Sequence, residues 1–82
     1  MEETVGFQRG QEVVAGHEAI GELLGTLTYG DVEYLHVRRF GPGLDDLYIP
    51  SIAVQRVLPK HIYLNLNPEE LVGQSWHIRP GV

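Results

Sequence analysis

The stretch that decides the fold runs from Val32 to Ile49 and reads VEYLHVRRFGPGLDDLYI. If the five residues Phe40–Leu44 form the loop of a β-hairpin, a single register follows. It sets Leu35 opposite Ile49, His36 opposite Tyr48, Val37 opposite Leu47, Arg38 opposite Asp46 and Arg39 opposite Asp45. Both aliphatic pairs then lie on one face and both arginines meet an opposite charge, as cross-strand pairing favours. A slip of one residue would move every side chain to the wrong face, so the register is well specified.

Outward from this hairpin, glycines and prolines divide the chain into further short apolar segments. These segments predict strands at Gln11–Ala15, Ile20–Tyr29, Val54–Leu58 and His61–Leu66. Leu24 breaks the alternation of the second of these strands, and Gly25 beside it predicts a β-bulge. Ser51–Ala53 predicts a corner with a single 3₁₀ turn. Many short strands at close spacing are typical of a small all-β barrel or sandwich.

One short helix is predicted near the C-terminus. Asn67 is a good N-cap, Pro68 suits the first helical position, and Gly73 ends the segment. Trp76, the only tryptophan, is expected to cover an open end of the barrel. The predicted core comprises Val13, Leu27, Leu35, Val37, Leu47, Ile49, Val57, Ile62 and Leu64.

Length and composition limit the classes of protein that remain. The 82 residues suffice for one domain, and about a third of them are Leu, Ile, Val or Phe, enough for one small core. We expect a loose lead-in over residues 1–7 and a single domain over residues 8–82. The absence of cysteine excludes disulfides and thiolate chemistry. A net charge of −5 disfavours nucleic acid as a partner.

The sequence also predicts a cytoplasmic protein that does not insert into membranes. No apolar run approaches the roughly 18 residues that a membrane helix needs. The first residues, Met1-Glu2-Glu3-Thr4, lack the basic and apolar regions of a signal peptide.

No catalytic, cofactor-binding or metal-binding constellation is visible. The four histidines, at positions 17, 36, 61 and 77, are all farther apart than the short spacing usual in zinc sites. Asp45 and Asp46 are neighbours on a predicted strand and point to opposite faces, so they cannot share one substrate. Neither Ser51 nor Ser75 has a histidine or acid spaced to activate it. We therefore predict a protein that is not an enzyme.

A candidate interaction surface remains at the tip of the central hairpin. Its residues are Phe40, Pro42, Leu44 and Tyr48. An apolar tip has two interpretations that the sequence leaves open. It folds back over the mouth of the barrel, or it meets another protein.

Several of these segments together resemble the PRC-barrel family, named for the cytoplasmic domain of the photosynthetic reaction-centre H subunit and including the C-terminal domain of the ribosome-maturation factor RimM. The resemblance covers roughly residues 8–80. It is carried by Ile20-Gly21-x-x-x-Gly25, by Tyr34-Leu35-x-Val37-Arg38, by Leu47-Tyr48-Ile49-Pro50-x-x-Ala53-Val54, and by His61-Ile62-Tyr63-Leu64-Asn65-Leu66. The small stand-alone bacterial members are the most similar. The resemblance implies a six-strand β-barrel with a short C-terminal helical segment, and an interaction module without catalytic residues.

The function expected from the sequence is therefore a non-catalytic interaction or assembly module that forms a homodimer and binds a protein partner. Two alternatives stay open: an RNA- or ribosome-associated assembly factor, and a small-ligand binder at the barrel mouth. The acidic composition counts against the first alternative, and the lack of a titratable cluster counts against the second.

Overall fold

The computed structural model describes residues 6–71 and 73–81. Within this part the chain is mostly β-strand, which confirms the predicted all-β class. The elements in order are β1 (Glu12–Ala15), β2 (Glu18–Tyr29), β3 (Val32–Arg39), β4 (Leu47–Pro50), a 3₁₀ turn (Ser51–Ala53), β5 (Val54–Val57), β6 (His61–Leu64) and α1 (Pro68–Leu71). Among the described residues no helix is long and apolar enough to cross a membrane.

The six strands form one curled sheet in the order β4-β3-β2-β1-β6-β5. All neighbours are antiparallel except β1 and β6, which run parallel. In a flat sheet of six strands, β4 and β5 would lie roughly 24 Å apart. The chain from Pro50 to Val54 can span only about 14 Å. The two ends of the sheet are therefore drawn toward each other at this corner, and the sheet wraps around its apolar face.

The register of the central hairpin agrees with the sequence prediction. Leu35 pairs with Ile49, His36 with Tyr48 and Val37 with Leu47. The ladder ends there, and the predicted pairs of arginine with aspartate do not form. Arg38 instead forms an ion pair with Glu22, its direct cross-strand neighbour on β2. Asp46 pairs with His36. The prediction missed these partners because it treated the hairpin without the third strand beside it.

The predicted bulge is present in β2, between Leu23 and Gly25. On one side of it, Leu23 pairs with the buried Val37; on the other side, Leu27 pairs with Tyr34 on the outer face. The extra residue reverses the alternation of side chains along the strand. The prediction that Leu27 belongs to the core is therefore wrong: its side chain is half-buried on the opposite face.

One hydrophobic core fills the concave face of the sheet. Its buried members are Val13, Ala15, Ile20, Leu23, Leu35, Val37, Leu47, Ile49, Ala53, Ile62, Leu64 and Leu71. Val57 and Phe7 are half-buried and pack against this cluster. The predicted lead-in, residues 1–7, lies largely outside the described residues, but Phe7 at its end belongs to the packed part of the chain.

Gln11 is a buried polar residue that joins the start of the domain to the distant β5–β6 turn. Only 2% of its surface is exposed. Its side-chain oxygen accepts a hydrogen bond from the Gln8 N–H at 2.6 Å, and its amide nitrogen donates to the Leu58 carbonyl at 2.9 Å. Because both ends of the amide have partners, its burial carries no large desolvation penalty.

The short helix begins where the sequence predicts. Glu70, at the third helical position, accepts a hydrogen bond from the Asn67 N–H at 2.8 Å, which is half of a capping box. The Gly73 N–H donates to the Glu70 carbonyl at 3.3 Å and ends the turn. Leu71 on this helix is buried and joins the core. Val72, within the predicted helix, lies outside the described residues.

Two glycines of β2 offer a matched test of this packing. A Cβ atom at Gly21 would overlap the Arg38 carbonyl oxygen and lie 2.9 Å from Val37 Cγ1, whereas a Cβ at Gly25 would meet nothing within 4 Å. Gly21→Ala should therefore lower the free energy of unfolding by about 1–3 kcal/mol, the usual cost of overpacking. Gly25→Ala should leave it unchanged or raise it by up to about 1 kcal/mol, since glycine is unfavourable within strands. Urea denaturation followed by circular dichroism measures both, and equal effects of the two substitutions would contradict the packing described.

Candidate functional site

The tip of the β3–β4 hairpin presents apolar side chains to solvent. Phe40 is 44% exposed and Leu44 is 45% exposed, with Pro42 exposed between them. The Phe40 N–H donates to the Ile20 carbonyl at 3.0 Å, which holds the base of the tip against β2. The tip is thus attached to the sheet while about half of each large side chain stays in water.

Glycines determine the path of the chain through the tip. Gly41 has φ +122° and Gly43 has φ +76°, values that side-chain-bearing residues rarely adopt. A Cβ atom at Gly41 would lie 3.0 Å from Leu44 Cδ1. The Leu44 side chain therefore folds across the loop toward Gly41.

Tyr48, the fourth predicted surface residue, belongs to a different cluster. It is half-buried, and its ring stacks on His36 with centroids 4.8 Å apart and planes 12° from parallel. His36 Nε2 lies 2.9 Å from Asp46 Oδ2. Tyr48 and Leu44 line a common cleft with Asp46 and His77. The structure therefore brings two of the four predicted residues to one cleft and leaves Phe40 and Pro42 at the tip.

The C-terminal segment covers the outer edge of β4 at Tyr48. The Tyr48 N–H donates to the Trp76 carbonyl at 2.7 Å. Trp76 is half-buried and packs against the core. That it covers an open end of a barrel stays a prediction. Between this segment and the sheet lies a cavity of about 380 Å³, whose aromatic walls are Tyr34, Tyr48 and Trp76. The segment thus protects an edge strand that would otherwise expose unpaired backbone groups.

A second outer cluster, which the sequence did not indicate, lies on the other half of the sheet. His61 Nε2 lies 3.4 Å from Glu12 Oε1, and the His61 ring stacks on Tyr63 with centroids 6.0 Å apart. The Arg56 guanidinium lies 5.0 Å from the centre of the Tyr63 ring, within range of a cation–π interaction. This cluster depends on the parallel pairing of β1 with β6. No local sequence pattern predicts that pairing.

Within residues 6–71 and 73–81, no group of three or more histidines or acidic residues lies close enough to hold a metal ion. His36 bonds to Asp46 and stacks on the Tyr48 ring. The prediction that the protein binds no metal and no cofactor stays a prediction.

Fold and surface define a class: a small all-β domain with an exposed apolar hairpin tip and aromatic–polar clusters on the outer face of its sheet. No protein-family model matches the chain, and no curated protein sequence matches it. Function is therefore inferred from the geometry of the chain itself.

Trp76 provides a test of the role of the C-terminal segment. Because its side chain is only half-buried, Trp76→Ala should lower the free energy of unfolding by about 2 kcal/mol, less than the 3–5 kcal/mol typical of a fully buried aromatic residue. Ile78→Ala is the matched control, since Ile78 is 52% exposed and should change stability by less than about 0.5 kcal/mol. Thermal and urea unfolding followed by circular dichroism measure both. Equal stability of the Trp76→Ala variant and the parent would show that the segment does not stabilise the domain.

Proposed function

We propose that this chain is a non-catalytic, cytoplasmic interaction module of PRC-barrel-like type that binds protein through the tip surface, in the first place a second copy of itself in a homodimer. The tip surface consists of Phe40, Pro42 and Leu44. The six-strand curled sheet and the short helix after β6 are compatible with the architecture that the resemblance implies.

The observation that carries the proposal is the pair of large apolar side chains at the tip. Phe40 and Leu44 remain nearly half exposed to solvent. A protein that docks on the tip removes this apolar surface from water, which is the main favourable contribution to protein association. Aromatic residues in such positions are common anchors of protein interfaces.

The strand edges are less suited to self-association than the tip. The backbone of β4 is engaged by the C-terminal segment at Tyr48. The ladder of β5 is irregular between Val54 and Arg56, and a bulge of this kind hinders regular pairing with another strand. Side-chain docking at the tip is therefore favoured over extension of the sheet.

The charge distribution supports a protein partner rather than nucleic acid. Two of the six cationic side chains are already engaged, Arg38 with Glu22 and Arg56 with the Tyr63 ring. The net charge of −5 repels phosphate and also opposes dimerisation. A dimer held mainly by apolar contact should consequently strengthen as salt screens this repulsion.

Light scattering at micromolar concentration tests the proposal. We expect a mass twice that of the chain, and a tighter dimer at higher ionic strength. Phe40→Asp should weaken the dimer roughly tenfold or more, because a charge would have to be desolvated in the interface. Ile52→Asp is the matched control: Ile52 is 79% exposed and lies beyond the opposite end of β4, so its substitution should leave the dimer unchanged.

A stable dimer buries on the order of 1,000 Å² or more in total, so its interface must extend from the tip onto neighbouring surface. A monomer at all salt concentrations would contradict self-association. A dimer that is weakened by Ile52→Asp and unaffected by Phe40→Asp would assign the interface to the other end of the sheet.

A further inference from the structure

A cleft behind the hairpin tip combines an apolar lining with donor groups on one rim. Its volume is about 360 Å³, near the lower limit for sites that hold small organic ligands. Leu47 and Leu71, both buried, contribute apolar surface, and Leu44 from the tip adds to it. The polar lining comes from Arg39, Asp45, Gln74 and His77. The cleft is thus amphipathic.

Arg39 carries an unsatisfied donor in this part of the molecule. Its Nε atom is buried and has no hydrogen-bond partner among the described residues. Leaving a donor on a charged group without a partner is costly. Arg39 also lines the cleft and forms no ion pair within the described residues, so its guanidinium has no anionic partner there. The guanidinium is a planar fork that matches a carboxylate with two parallel hydrogen bonds.

The chain has a carboxylate nearby that does not fill this role. The sequence places Asp45 opposite Arg39, and both residues line the cleft, but the β3–β4 ladder ends at Leu47. Asp45 is exposed and forms no ion pair with Arg39 within the described residues. The negative charge of Asp45 therefore repels a carboxylate ligand in this cleft and weakens its binding.

We propose that this cleft binds a monocarboxylate that carries a short apolar stem. The carboxylate lies on the Arg39 fork, where the Gln74 amide and the His77 ring offer further N–H donors, and the stem lies against Leu44, Leu47 and Leu71. A dianion such as a phosphate monoester fits less well, because the charge of Asp45 stands in the same cleft. This site shares Leu44 with the tip surface but does not need the dimer in order to form.

Nuclear magnetic resonance with hexanoate as the probe tests the proposal. The Nε–H signal of Arg39 is assigned as the one lost in Arg39→Gln. We expect hexanoate to shift this signal and the backbone signals of Leu44 and Leu71 in a saturable manner. Hexanamide, the neutral analogue, should bind roughly tenfold or more weakly, since it lacks the charge-assisted hydrogen bonds. Equal affinities for the two compounds, or no shift at millimolar hexanoate, would overturn the proposal.

Three variants of the full chain separate recognition from loss of structure. Arg39→Gln should reduce hexanoate affinity roughly tenfold or more. Arg38→Gln, the adjacent arginine whose partner is Glu22, should leave the affinity unchanged. Asp45→Asn should tighten binding severalfold because it removes a like charge from the cleft, an effect that partial unfolding cannot produce. Weaker binding by Asp45→Asn, or full binding by Arg39→Gln, would contradict the assignment.

The carboxylate could belong to a free acid or to the C-terminus of a peptide. The tripeptide Ala-Ala-Leu, with a free or an amidated C-terminus, distinguishes these sources. Tighter binding of the free tripeptide than of hexanoate assigns the site to a chain terminus, and the reverse order assigns it to a small acid. The Phe40→Asp variant should bind hexanoate as the parent does, so the cleft and the dimer are tested separately.

Discussion

The short link between β4 and β5 is the constraint on which the rest of the structure depends. These strands are the two ends of the sheet, yet only the three residues Ser51–Ala53 separate them. The sheet must curl to bring its ends together, and curling gives it one concave and one convex face. Apolar residues fill the concave face as a single core. On the convex face, aromatic and charged side chains pair with one another, as in the stack of His36 on Tyr48.

The two end strands of the curled sheet and the tip of the β3–β4 hairpin differ in how far other parts of the chain cover them. The C-terminal segment covers β4 through the hydrogen bond from Tyr48 to Trp76. At the opposite end of the sheet, the bulge in β5 hinders regular pairing with a further strand. At the hairpin tip, Phe40 and Leu44 remain partly exposed to solvent. This contrast is the physical basis for regarding the tip as the docking surface.

Two buried polar groups in different parts of the fold differ clearly in how far their hydrogen bonds are satisfied. Gln11, although almost fully buried, has partners for both ends of its amide. Arg39 Nε, also buried, has none within the described part of the chain. Because the fold provides partners for the buried Gln11 amide, the lack of a partner for the buried Arg39 Nε calls for an explanation. In the proposed carboxylate site, the Arg39 guanidinium gains an anionic partner beside the apolar cleft.

The sequence by itself determined the all-β class, the central register of Leu35 with Ile49 and Val37 with Leu47, the bulge beside Gly25 and the start of the helix at Pro68. These features depend on side-chain alternation, turn residues and caps within short stretches of chain. Only the tertiary structure decided that β1 runs parallel to β6, that Arg38 pairs with Glu22, that Leu27 leaves the core, and that Arg39 and His77 share a cleft. Each of these features depends on which distant segments become neighbours when the sheet curls. Local sequence patterns do not predict such long-range contacts.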